Sequence, residues 1–422
     1  MHLTHKTLKN GLNVFLVNLP DSKSVLFTIL VKVGSRYETK KVTGVSHFLE
    51  HVFFKGSKKY PKPTDISQIV DAIGGDFNAS TSKEATEFYI KAEKHHFDLI
   101  FDVLSDMVLN PLFKEDELQK EKGVIIEEIN QYEDVPASQV ENHLERIMWP
   151  ESTLGREILG SRQSIKKMKR SAVLKYKNTF YQPSNIILGI SGNFNSKEAL
   201  KKIENTWGKL KNKRTPRHKH KEIKQKKPNL TLQYKDTQQA HFALGFKSFD
   251  HLSKKNPAVM LLANVLGGNM SSRLFVEIRE KRGLAYHISA SNTPYHNTGN
   301  FTIHAGLQVE KTRSALIEIL KQLKDVKNNS VSTEELKRAK DFIRGKFALA
   351  FENRHRNLDW AMDHFAFTGK QKSIESFLAE MQKVTVKDIQ KLASEIFQEK
   401  NMSLAIIGPF KEKLSFEKEL KI

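Results

Sequence analysis

The sequence predicts an α+β protein of two homologous domains, each a mostly antiparallel sheet covered by helices. Three observations lead there. Segments of similar pattern recur at a separation of roughly 210 residues, near the size of one domain. Short stretches that alternate apolar and polar residues occur in clusters with amphipathic helical stretches, rather than in strict strand–helix alternation. A basic run, KNKRTPRHKHKEIKQKKP at 211–228, divides the chain near its middle, with two prolines and few apolar residues, as a solvated linker does. The expected boundaries are therefore 1–210 for the first domain, 211–228 for the linker and 229–422 for the second domain.

The elements follow in order. The first half opens on LNVFLVNL (12–19) and VLFTILVKVG (25–34), rich in the β-branched and aromatic residues that suit strands. An apolar helical stretch, VSHFLEHVFF (45–54), comes next, followed by DISQIVDAIGG (65–75), the strand-like alternation TEFYIKA (86–92) and the amphipathic helix HFDLIFDVLSDMVL (96–109). The second half has LTLQYKD (230–236) and HFALGFKSF (241–249) as strands, then AVMLLANVLGG (258–268), LFVEIREKRGLAY (274–286), the strand GNFTIHAG (299–306) and the amphipathic helix TRSALIEILKQLKDV (312–326). The order of patterns is the same in both halves, which is what a duplicated unit gives.

Composition removes several function classes. The chain has no cysteine, which excludes disulfides, thiolate metal ligands and a cysteine nucleophile, and leaves His, Asp and Glu as metal donors. No apolar run reaches the ~18 residues of a membrane span, and the N-terminus lacks the pattern of a signal peptide. A cytoplasmic protein with no membrane partner is expected. The formal net charge of +21 comes mostly from lysine spread along the chain. No aromatic residues interleave the basic run, so no nucleic-acid partner is expected.

The segment that carries chemistry is HFLEH at 47–51. On a helix, His47 and His51 lie one turn apart on one face and can place two imidazole nitrogens on a single ion. Glu50 lies beside them, where a carboxylate that does not bind the metal can take a proton from water. The spacing by itself leaves two readings open, a zinc site or a polar stripe on an ordinary helix. A catalytic zinc site needs a third protein ligand. The best source is DELQKEKGVIIEEINQYEDV, in which Glu121 and Glu128, seven apart, face the same way, with Val124 and Ile125 between them on an apolar stripe. Two acids on one helix face are also common as a solvated surface.

Taken together, His47, Glu50 and His51 as H-x-x-E-H, with Glu121 and Glu128 some seventy residues on, resemble the pitrilysin family of zinc peptidases, the inverzincins. LKNGLNVFLV, VGSRYE, FKGSKKYP, GGDFNAST and SSRLFVEIREKRGLAY are similar to that family as well, so the resemblance covers nearly the whole chain. The length is close to the short members, including the processing-peptidase branch. The resemblance implies two domains closing on a central chamber. It implies Zn2+ as cofactor, His47, His51 and Glu128 as its ligands, Glu50 as the base that activates a zinc-bound water, and Glu121 as a supporting acid. Arg279 and Tyr286 match the pair that the family brings to the substrate, where a phenol donor suits an oxyanion. The segment FNASTS (77–82) matches the edge strand to which an extended peptide adds, making Phe77, Asn78, Ala79 and Ser80 substrate-binding residues, and Phe54 matches an aromatic wall. The second half has AVMLLANVLGG where the repeat would put another zinc helix, with neither histidine nor acid.

One departure concerns the substrate. Two positions at which the processing enzymes carry acids for basic presequences are Ser138 and Asn142 here, which argues against cleavage directed by an arginine signal. The expected function is a zinc-dependent endopeptidase acting on peptides or unfolded segments, as a homodimer or a heterodimer with a related chain. The alternative is a peptide-binding scaffold or non-catalytic subunit of a processing-peptidase-like complex. Retention of the full H-x-x-E-H set with Arg279 and Tyr286 favours the enzyme.

Overall fold

The computed structural model describes residues 2–216 and 225–422; the middle of the basic linker, 217–224, lies outside the described residues, and 211–216 form no regular element. The chain divides into two compact units. The first gathers Met1–Gln131, Arg156–Lys219 and Ala350–Gln371, and the second gathers Tyr132–Gly155, His220–Leu349 and Lys372–Ile422. Each unit therefore takes in a segment from the far half of the sequence. Among the described residues no helix is long and apolar enough to cross a membrane.

The first unit is built on β1 (His2–Thr7), β2 (Asn13–Asn18), β3 (Ser24–Val31), β4 (Asp76–Thr81), β5 (Thr86–Glu93) and β6 (Ile186–Gly192). Their order across the sheet is β1-β2-β6-β3-β5-β4. Only β2 and β6 run parallel; the other neighbours are antiparallel. Strand β5 shows why the pattern TEFYIKA was legible. Thr86, Phe88, Ile90 and Ala92 are buried while the residues between them are more exposed, the period of two of a pleated strand. Strand β3 is buried almost throughout, because both faces of the sheet are covered.

One face carries α1 (Val45–Phe53), α2 (Asp65–Ala72), α3 (Phe97–Leu109) and α4 (Glu115–Asp134). Phe48, Val52 and Phe53 of α1 join Phe101 and Leu104 of α3 in the core over Phe27 and Phe88. Phe53 lies 5.2–5.4 Å, centroid to centroid, from the rings of Phe88, Phe113 and Tyr181. On the other face lies a helix from far along the chain, Arg356–Thr368, whose Leu358, Ala361 and Met362 cover Phe15, Val17 and Ile187. A close approach makes this possible. A Cβ on Gly189 of β6 would fall 2.3 Å from the Met362 sulfur.

The second unit repeats the plan with β7 (Asn229–Tyr234), β8 (Gln239–Ser248), β9 (Ala285–Pro294), β10 (Gly299–Gln308) and β11 (Met402–Gly408) in the order β7-β11-β8-β10-β9. Its only parallel pair is β7–β11. Strand for strand this is the order β2-β6-β3-β5-β4 of the first sheet, so the repeat seen in the sequence is a repeat of topology. The helix α5 (Pro136–Met148), from the first half of the chain, lays Val140, Leu144 and Met148 on Ala243, Ala405 and Ile407 of this sheet. Again a glycine admits it: a Cβ on Gly245 would come within 2.5 Å of the Met148 sulfur.

Candidate active site

Helix α1 begins without a side-chain cap of its own. Gly44, the residue before it, has φ +88° and its missing side chain avoids Leu159 O, which a Cβ would meet at 2.5 Å. The free N–H groups of Gly44 and Ser46 donate instead to the two carboxyl oxygens of buried Glu38, at 2.6 and 2.8 Å, a cap supplied from the preceding loop. Ser46 is further tied through its hydroxyl to Tyr176, at 2.8 Å. The start of the helix is thus fixed just before His47. Beside it, Arg36 and Glu84 form a buried ion pair.

From α1, His47 and His51 project with ring centroids 4.5 Å apart. Helix α4 brings Glu128, whose Oε2 lies 3.6 Å from Nε2 of each histidine. Among the described residues, these three are the one group of three His, Asp or Glu whose donor atoms all lie within 4.8 Å of one another. Tetrahedral coordination at ~2.0–2.1 Å would put donors about 3.3 Å apart, so the observed spacing fits a zinc-sized ion with little movement. Glu128 Oε2 is buried and has no hydrogen-bond partner, a costly state for a carboxylate oxygen unless a cation meets it. The donor set, two imidazoles and a carboxylate, is one that zinc takes in catalytic sites.

The charges around this cluster shift its members in different directions. Burial, with His51 adjacent, pushes His47 down to about 3, so its ring is neutral with a free lone pair. Burial opposes protonation of His51 too, but the hydrogen bond to Glu121 and the carboxylates of Glu128 and Glu50 push its pKa up. Glu121 is not part of this donor cluster. Its Oε1 accepts from His51 Nδ1 at 2.8 Å, which leaves the lone pair of Nε2 on the side of Glu128. Its Oε2 pairs with Lys55 at 2.9 Å. Burial raises Glu128, and Glu121 adds to the effect; against its own burial, the bonds from His51 and Lys55 hold Glu121 below the usual carboxylate range.

Glu50 sits between the two histidines in sequence and on the side toward β4. Thr81, the last residue of β4, donates its hydroxyl to Glu50 Oε2, and burial raises the Glu50 carboxyl. Strand β4 is at the edge of the sheet and pairs with β5 alone. Along it Phe77, Ala79 and Thr81 are half-buried while Asn78 and Ser80 are exposed. Phe54, at the end of α1, lies 5.6 Å from the Phe77 ring and 6.4 Å from Phe88.

In the second unit, Arg279 lies in a π-helical segment, Phe275–Glu280, a rare conformation that is frequent at functional sites. Its guanidinium rests over the rings of Phe275 (4.7 Å) and Tyr286 (5.5 Å). Tyr286, at the head of β9, is 76% exposed. The helix Asn256–Gly267, counterpart of α1, is almost wholly buried.

One detail of the sequence reading is corrected. Ile125 is buried between Glu121 and Glu128, but Val124 is 52% exposed. The buried stripe of α4 runs through Leu118, Glu121, Ile125 and Ile129; at ~100° per residue Val124 falls outside it, and Glu128 lies at its margin. Sequence reasoning also missed Lys55, Thr81 and Glu38. Lys55 carried a signal, since it stands four residues after His51; Thr81 acts on Glu50 from a separate element, and Glu38 lies only six and eight residues before the Gly44 and Ser46 that it caps.

Comparison with known proteins agrees with this geometry. Residues 13–162 match the family described as Insulinase (Peptidase family M16), and residues 167–342 match the Peptidase M16 inactive domain. An uncharacterized zinc protease of Bacillus subtilis is 34% identical over 405 residues, 96% of this chain and 97% of its own. One of Rickettsia bellii is 33% identical over 412 residues, 95% and 96% of the two chains. The crystal structure of a protease from Helicobacter pylori matches with a TM-score of 0.88 at 26% identity, over 97% of this chain and 99% of that one. A Pseudomonas fluorescens structure, described as a peptidase M16 inactive domain, shares the fold with a TM-score of 0.89 at 18% identity, over the same shares of the two chains. On these matches, two contiguous family segments and full-length relatives above 30% identity, the chain belongs to the insulinase family, peptidase family M16.

Proposed function

We propose that this chain is a zinc-dependent endopeptidase that hydrolyses peptides or unfolded protein segments. The observation that carries the reading is the convergence of His47, His51 and Glu128, with Glu50 one residue from His51 and held by Thr81. The relatives named as zinc proteases support it. When bound, zinc supplies Lewis acidity to a water molecule and to the scissile carbonyl. Glu50 takes the proton of the attacking water and passes it to the leaving amine. Thr81 occupies one Glu50 oxygen, leaving the other for that proton. The unpaired edge of β4 offers backbone groups to an extended peptide, so recognition tolerates many side chains. Arg279 and Tyr286 act on the substrate, Tyr286 as hydrogen-bond donor to the developing oxyanion.

The test is zinc content of the purified protein together with cleavage of a mixed peptide library. Glu50→Gln is expected to keep zinc and lose hydrolysis, because an amide cannot accept the proton. In the same assay Tyr286→Phe should lower turnover with zinc unchanged, the loss being confined to the transition state. A protein that binds zinc and library peptides but cuts none would be a peptide-binding scaffold instead.

A further inference from the structure

Glu121 is a carboxylate almost completely buried, its side chain 5% exposed, and it must hold a fixed direction for its Oε1 to receive His51 Nδ1. One hydrogen bond does not fix a carboxylate, which can rotate and offer either oxygen. The second oxygen is engaged by Lys55 Nζ at 2.9 Å. That lysine is itself held. Its backbone N–H donates to Val52 O at the end of α1, at 3.2 Å. The next residue, Gly56, has φ +119° and leaves no room for a side chain beside Pro61 O, which a Cβ would meet at 2.8 Å. Gly56 O accepts from Leu112 N, Lys58 N donates to Asn110 O, and Ser57 bridges Pro111. The turn carrying Lys55 is thus docked on the segment that leads into α4, the helix that carries Glu121.

We propose that Lys55 is a positioning residue of the metal site, acting through Glu121 to orient His51 and strengthen metal binding. This deepens the zinc reading above and rests on it. The chain Lys55–Glu121–His51 runs outward from a ligand, and such outer partners fix the ring and tautomer of the histidine they touch. Charge points the same way: Glu50, Glu121 and Glu128 are three carboxylates, and one ammonium with one dication balances them.

The experiment is a zinc competition titration of the full chain against a chromophoric chelator. Lys55→Met is expected to weaken zinc binding about tenfold, as loss of an outer partner typically does. Lys55→Arg, which can still pair with the carboxylate, should stay near the wild-type affinity, and Lys55→Gln, a neutral donor, should fall between. In a Glu121→Gln background, Lys55→Met should add no further loss, since its effect runs through that carboxylate. Wild-type affinity in Lys55→Met, or the same loss with and without Glu121, would overturn the inference while leaving the zinc site standing. A wild-type chain that binds no zinc would overturn both.

Discussion

At the residue scale, the site depends on phase along α4. Glu127 and Glu128 are neighbours of the same chemistry, yet only Glu128 directs an oxygen to both histidines, at 3.6 Å, while exposed Glu127 accepts from the Asn130 side chain. One residue is ~100° on a helix, enough to turn a carboxylate that faces the histidines into a surface acid. Glu128→Gln is therefore expected to lose most bound zinc and Glu127→Gln to retain it. Elemental analysis of the two variants, purified identically, checks this; equal loss would mean a different third donor.

At the element scale, two features set where the helices stand. The first is the cap of α1. Burial pushes the Glu38 carboxyl up to about 8, although the N–H groups of Ser46 and Gly44 pull it back. The folded protein then keeps a proton that the unfolded chain, with a carboxyl of ordinary pKa 4.5, releases. Its contribution to stability is therefore full below the unfolded value, falls as pH rises between the two, and is gone above the folded one. Unfolding by urea at a series of pH values should show this slope, and Glu38→Gln should flatten it. The second feature is the pair of strand glycines, Gly189 and Gly245, each under a methionine of a helix drawn from the other half of the chain. Gly189→Ala and Gly245→Ala should each cost about 1–3 kcal/mol by overpacking, read as a lower urea midpoint with an unchanged slope.

At the scale of the whole molecule, neither sequence half is a unit. The sheet face formed by Phe15, Val17, Leu26, Leu30 and Ile187 is covered by Leu358, Ala361 and Met362, which lie more than 160 residues beyond Ile187 in the chain. Residues 1–215 expressed alone would expose that face. They are expected to be poorly soluble and to melt well below the full chain, and fusing 350–371 to them should recover stability. A soluble 1–215 fragment with the thermal stability of the full chain would show that the added helix contributes little.

What the sequence by itself determined is what short-range pattern encodes. The strict alternation of TEFYIKA became β5, the helical spacing of HFLEH became one face of α1, and the twofold order of patterns became two sheets of one topology. These could be read because the period of a strand or helix is set by neighbouring residues. The same locality explains His47 and His51, which one turn of helix brings together. Only the tertiary structure decided the rest. That Glu128 meets both histidines requires α4 to lie against α1, and that Lys55 and Thr81 serve Glu121 and Glu50 depends on segments some thirty to seventy residues apart. That each sheet is closed by a helix from the opposite half depends on where buried apolar area is gained, and that is a property of assembled surfaces which no local period records.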